Sequence, residues 1–233
     1  MENVTAIACD MNSDFDEDFT EKYPHIKILF DYFHIVKNFN DKVINEIRKE
    51  EQVRLANEGD VEEYKLLKNS KYILTSSRET LKKKDTQTEK KAETTHLFKE
   101  TIDKYKNKHE KRYNEIIKNN ELLFIADYVK EKLKLAYAQD SEEQMMMELV
   151  DIVGICFSTK NKHFIWFGKL IVNHIDEIIT HAKYKISSGK IEEINNKIKT
   201  LRRQAYGYPD NEYFFLKLFD ITRNQIISHK NND

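Results

Sequence analysis

Apolar positions are arranged in two ways along the chain, and the change falls near residue 33. Before it, two short runs, VTAIAC at residues 4–9 and IKILF at residues 26–30, enclose the helix-sized polar segment DFDEDFTEKY. Short apolar runs bounded by turn formers read as buried strands. Asn12 and Ser13 suit the cap of the intervening helix and Pro24 its end. Two strands joined by a crossover helix make a βαβ unit, whose strands are parallel and need cover on both faces.

Beyond Phe33 the period becomes helical. Ile35, Phe39, Val43 and Ile47 recur along FHIVKNFNDKVINEIRKEEQVRLA and predict one long helix after the second strand. Residues 61–74 read as a short helix and turn. Residues 80–118 are so charged that a solvated helix or a partly disordered arm is the plain reading, against a specific ligand site. Three further helices are predicted at 120–138, 141–157 and 161–182, the first with Leu122, Ile125, Val129 and Leu133 at helical steps. After SSG at 187–189 come a helix from Lys190 to about Ala205, the turn YGYPDN, and an amphipathic helix from about Glu212 to Ile227. No internal repeat or low-complexity linker divides the chain.

Composition sharpens this into an α/β class that is mostly α by residue count. Only 5 Gly and 2 Pro accompany 39% apolar and 34% charged residues, which disfavours a turn-rich all-β fold. The net charge of -1 gives no global basic field, so nucleic-acid binding would rest on local clustering. Such a cluster runs from Lys183 to Arg203, where seven cations face only Glu192 and Glu193. Cys9 and Cys156 stand far apart, against a disulfide scaffold or a zinc ribbon and in favour of a reducing, cytoplasmic setting. No apolar stretch approaches the roughly 18 residues of a membrane span, so no membrane partner is expected.

Candidate chemistry begins where the strands end. Asp10 follows the first and Asp31 the second, so a parallel pair delivers both carboxylates to one edge of the sheet, where open α/β sheets place their sites. An Asp after a strand is equally a turn or cap residue. His34 reads as a site residue or as a packed core histidine between Phe33 and Ile35. In KIEEINNKIKTLRRQA, Ile191, Ile194, Ile198 and Leu201 form a core stripe, and Glu192, Asn195, Asn196, Lys199 and Arg203 gather opposite. A merely solvated face would show the same amphipathicity. Trp166 and Met145 to Met147 read as packing residues.

The segments ACDMNSDF, YPHIKILFDYFHIVKNFN, LKNSKYIL and SGKIEEINNKIKTLRRQAYGY together resemble the ISL-three family of insertion-sequence transposases, from about Thr5 to Phe219. The R-R-x-A-Y-G-Y ending is the most specific part. The resemblance implies a DDE enzyme with an RNase H-like core, here incomplete: residues 1–45 a partial βαβ unit, 46–185 a helical insertion, 186–233 the closing catalytic helix and the C-terminal helix. It implies two divalent metals, Mg²⁺ or Mn²⁺, held by Asp10 and Glu192, with Asp31 and His34 matching a D-x-x-H element. Asp31 as the second metal ligand is the alternative assignment. Asn195, Lys197, Lys199, Arg202 and Arg203 would meet DNA, Lys197 the least securely placed of them.

The family pattern opens with an Asp on the first strand, after zinc-ribbon and helix-turn-helix modules. None of these is found among the 233 residues. The expectation is therefore a truncated, inactive remnant, or a part completed in trans or in a homo-oligomer, working on insertion-sequence ends and target DNA in a bacterial cytoplasm. Ser188 and Glu193 also depart from the family's usual Asn and Gly. The rival readings are a non-catalytic DNA-binding or oligomerisation module and a helical interaction protein without nucleic acid.

Overall fold

The computed structural model describes residues 3–9, 11, 19–95, 107–187, 189–204, 210, 212–217 and 219–220. The chain forms two compact units, Met1–Lys185 and Ile186–Asp233.

In the first unit, β1 (Ala6–Cys9) and β2 (Lys27–Phe30) pair in parallel, Ala6 opposite Lys27 and Cys9 opposite Phe30. Residues 19–22 are helical, as the crossover reading requires. The end of β2 is wholly buried at Leu29 and Phe30. Cover for β2 comes from the far end of the unit, the helix Ile175–Tyr184. The α/β, mostly helical class with a parallel strand pair is thus the observed one.

The chain passes from β2 directly into α1 (Tyr32–Phe39), continues through a π-helical turn at Asn40–Ile44, and runs on as α2 (Asn45–Glu58). The apolar spacing explains the wide turn. Ile35, Phe39, Val43 and Ile47 lie four residues apart and are all buried. In an α-helix each such step overshoots the turn by about 40°, and a π turn, with more residues per turn, brings the stripe back into line. Gly59, at φ 75°, ends α2 in the left-handed conformation that glycine adopts without strain.

Four short to medium helices follow: α3 (Val61–Leu67), α4 (Lys71–Thr75), α5 (Arg78–Thr95) and α6 (Lys108–Asn119). The charged stretch is therefore anchored helix over its described part, with Leu81, Tyr113 and Ile116 in the core. Its anchors are polar as well as apolar. Asp85 of α5, buried, accepts the backbone N–H groups of His109 and Glu110 at 2.8 and 3.0 Å, and so caps the start of α6 from outside that helix.

The unit closes with α7 (Glu121–Ala138), α8 (Glu142–Ser158), α9 (Lys162–Asn173) and α10 (Ile175–Tyr184). Asn120, Ser141 and Asn161 cap the first three through side-chain oxygens. The expected helix at 161–182 is interrupted at His174, whose φ and ψ of -125° and 27° turn the chain so that α10 packs on β2. On α7 the buried stripe is Leu123, Ala126, Val129 and Leu133, while Leu122 and Ile125 are only partly buried. Phe39 packs against Phe167 at 4.7 Å and Phe164 at 6.2 Å between ring centroids, joining α1 to α9.

In the second unit, α11 (Gly189–Gln204) matches the expected closing helix, and residues 212–217 and 219–220 are helical. Ile198 and Leu201 are half-buried, as their stripe requires. The guanidinium of Arg202 lies 4.9 Å over the ring of buried Phe214, a cation–π contact joining the unit's two helical segments.

Candidate functional site

Because β1 and β2 are parallel and Cys9 pairs with Phe30, both strands end at the same edge. Asp10 is the next residue in sequence after Cys9 and lies outside the described residues. After Phe30 there is no loop: Asp31, at φ -80° and ψ 162°, is the N-cap of α1, and its Oδ1 accepts the His34 N–H at 3.2 Å.

Asp31 is only 1% exposed. Beside it stand two side chains from distant helices, Tyr137 of α7 and His181 of α10, their rings 4.8 Å apart. The Tyr137 hydroxyl donates to the Phe30 carbonyl at 3.2 Å, fixing the end of β2, and Tyr32 packs on Tyr137 edge to face. Burial, reinforced by the negative Asp31, pushes the Tyr137 pKa well above the usual tyrosine range. Burial lowers the pKa of His181, and Asp31 opposes that shift. The His181 Nδ1 is buried without a hydrogen-bond partner among the described residues. Sequence spacing gives no sign of this grouping, since its members lie more than 100 residues from β2 and meet it only through the packing of α7 and α10.

His34, half-buried, lies one turn into α1. Asn38, one turn further on, donates through Nδ2 to the His34 carbonyl at 3.1 Å and to Met11 Sδ at 3.6 Å. The His34–Asn38 side of α1 therefore faces the chain that has just left β1. Asp31, by contrast, turns toward α7 and α10.

Carboxylates are the oxygen donors that Mg²⁺ or Mn²⁺ prefers, so the acidic set matches such a cation in chemistry. Asp31 matches it poorly in placement, being enclosed and engaged as a cap. Among the described residues no group of three His, Cys, Asp or Glu side chains is arranged to hold a metal ion. Glu192 lies on α11 of the second unit, and its side chain, like that of Asn195, is outside what the structure describes. Of the other residues expected on that helix, Lys199, Arg202 and Arg203 are exposed and Lys197 is half-buried. Arg202 divides its role between solvent and the Phe214 ring. Among the described residues no helix is long and apolar enough to cross a membrane.

Comparison with known proteins places these features in a family. The chain is 22% identical over 224 residues to the transposase for insertion sequence element IS1001 of Bordetella parapertussis. That alignment takes in 93% of this chain and 47% of the relative, so the chain spans about half the length of the curated protein it matches. No solved structure matches it. A family model described as a transposase, of the DDE type and the ISL3 class, matches residues 1–218, and the chain therefore belongs to the ISL3 family of DDE transposases.

Proposed function

We propose that this chain is the distal part of a metal-dependent DNA strand-transfer enzyme, contributing two of its three catalytic carboxylates. The observation that supports this most is the parallel register, which ends β1 and β2 at one edge just before Asp10 and Asp31. Asp10 and Glu192 would hold the divalent cations, Mg²⁺ or Mn²⁺. When bound, such cations activate the attacking oxygen and stabilise the leaving one. Asp31 would be a positioning residue that fixes the start of α1, while His34 and Asn38 present polar groups toward the segment after β1. Asn195, Lys197, Lys199 and Arg203 would lie along the DNA backbone, their charges offsetting phosphates. The partition into an RNase H-like part, a helical insertion at 46–185 and a closing helix belongs to the same reading.

In the family pattern the first carboxylate precedes the segment matched here, so strand cutting requires that portion in cis or in trans. The test mixes the 233-residue chain with a protein carrying the preceding family portion, on DNA with the element's ends. Mn²⁺-dependent nicking by the mixture, absent from either part alone and lost in Glu192→Ala and Asp10→Ala, is the expected result. Salt-sensitive DNA binding with no nicking under any combination would leave a DNA-binding module and overturn the enzymatic reading.

A further inference from the structure

Helix α8 is apolar on two opposite faces. Met145, Leu149, Ile152 and Cys156 are fully buried against the rest of the first unit. On the other side Met147, Val150 and Phe157 are 63%, 60% and 41% exposed, and Gly154 between them is exposed with nothing within 4 Å of where a Cβ would stand. A helix apolar all round belongs in an interior, and no described residue covers this stripe.

The stripe itself indicates what covers it. Its steps of three, four and three residues are those of a helix-pairing seam. It is also palindromic. When a second α8 is laid antiparallel about the level of Ile152, Met147 faces Phe157 and Val150 faces Gly154, so each larger side chain meets the complementary position of the other copy. The same operation carries Glu142 and Glu143, in the first turn, to Lys162 and Lys160 beyond the last turn. Acidic and basic ends thus meet twice, and antiparallel helix dipoles add to the attraction. Lys162 is 74% exposed while bonded to Glu50 at 2.7 Å, and its ammonium has donors to spare. The only like charges near the axis are the two Asp151 carboxylates, each held by its own Lys132 at 3.2 Å, which also binds Glu148 at 2.8 Å.

We propose that α8 is a self-association surface, pairing antiparallel with α8 of a second copy about a two-fold axis. A two-fold contact of this kind closes on itself and yields dimers rather than filaments. The inference is independent of the strand-transfer reading, since it uses no carboxylate of that site and its test reads mass, not activity.

The experiment is sedimentation velocity of the full 233-residue chain across about a hundredfold range of concentration. The wild type should move from monomer to dimer, with no larger species. Val150→Asp would place an unpaired charge in the seam and should raise the dissociation constant by at least about tenfold, with unchanged circular dichroism and monomer melting. Val53→Asp, equally exposed but on α2, should leave the dimer intact. Orientation is read by mild oxidation: a Val150→Cys, Gly154→Cys double variant should cross-link, while Val150→Cys alone should not. A wild type monomeric throughout, a dimer indifferent to Val150→Asp, or efficient cross-linking of Val150→Cys alone would each overturn the proposal. So would a lower monomer melting temperature in Val150→Asp, because the stripe would then be covered by its own chain.

Discussion

Asp31 accepts the backbone N–H of His34 at 3.2 Å, and this bond joins the end of the sheet to the first turn of α1 with no residue between. The carboxylate serves as a buried cap, and capping can be separated from charge. Asp31→Ala should destabilise the chain by about 1–2 kcal/mol, the usual worth of an N-cap. Asp31→Asn keeps an acceptor that caps as well and should hold the urea midpoint nearly in place. The same substitution decides the open ligand assignment. In a reconstituted nicking assay, activity surviving in Asp31→Asn keeps Asp31 a positioning residue, and activity lost with stability intact makes it a metal ligand.

Asp85 gives a pH dependence with a definite sign. Its burial disfavours the charge, but the N–H groups of His109 and Glu110 and the His109 ring outweigh that and hold its pKa below the usual carboxylate value. A depressed folded pKa adds stability that is present above the unfolded pKa of about 3.9 and is lost as pH falls through the lower folded value. Wild type should thus exceed Asp85→Asn in stability at neutral pH, and the gap should shrink below about pH 4. Chemical denaturation of both proteins at several pH values measures this. A gap that stays constant into acid would show that the cap works without its charge.

A second polar junction holds α4, α5, α6 and α7 together. Asp127 receives the Arg78 guanidinium at 2.6 Å and the Tyr113 hydroxyl, while Lys130 donates to the carbonyls of Leu74 and Ser76 at 3.0 and 2.9 Å. Burial lowers the Lys130 pKa, against the pull of Asp127 and Glu131, and pushes that of Tyr113 far up. Arg78 is 41% exposed in its side chain and can relax into water, whereas Tyr113 is 1% exposed and cannot. Tyr113→Phe and Lys130→Met should therefore each cost about 1–3 kcal/mol, by leaving buried acceptors unmatched. Arg78→Ala should cost less than either, and a larger loss in Arg78→Ala would contradict this ordering.

The sequence pattern carried the strand pair and most helices because period and caps are local properties. Three features were not legible. The π turn at Asn40–Ile44 follows from an apolar spacing of four that no α-helix accommodates, a conflict visible only once all four residues are known to be buried. The break at His174 is imposed by docking α10 on β2, a contact across almost 150 residues. The charged stretch gained its order from Asp85, one buried acid among many exposed ones. At the site, the common edge followed from parallel pairing, but the enclosure of Asp31 by Tyr137 and His181 depends on tertiary packing that leaves no local trace.

Two glycines in neighbouring helices should respond to alanine in opposite directions. At Gly168 of α9 an added Cβ would stand 3.2 Å from the Cys156 Cβ and 3.5 Å from the Phe157 ring, so α8 and α9 approach closely because this position has no side chain. Helix propensity favours alanine by about 0.8–1.0 kcal/mol, but overpacking between two helices costs about 1–3 kcal/mol. The net effect of Gly168→Ala should be destabilising. At Gly154 of α8 nothing lies within 4 Å of the new methyl, and only the propensity gain remains. Gly154→Ala should stabilise the monomer by about 0.5–1 kcal/mol. Urea denaturation of both variants at low protein concentration measures the pair. A stabilised Gly168→Ala would show that α8 and α9 separate without penalty, and the close contact would then be no constraint on the fold.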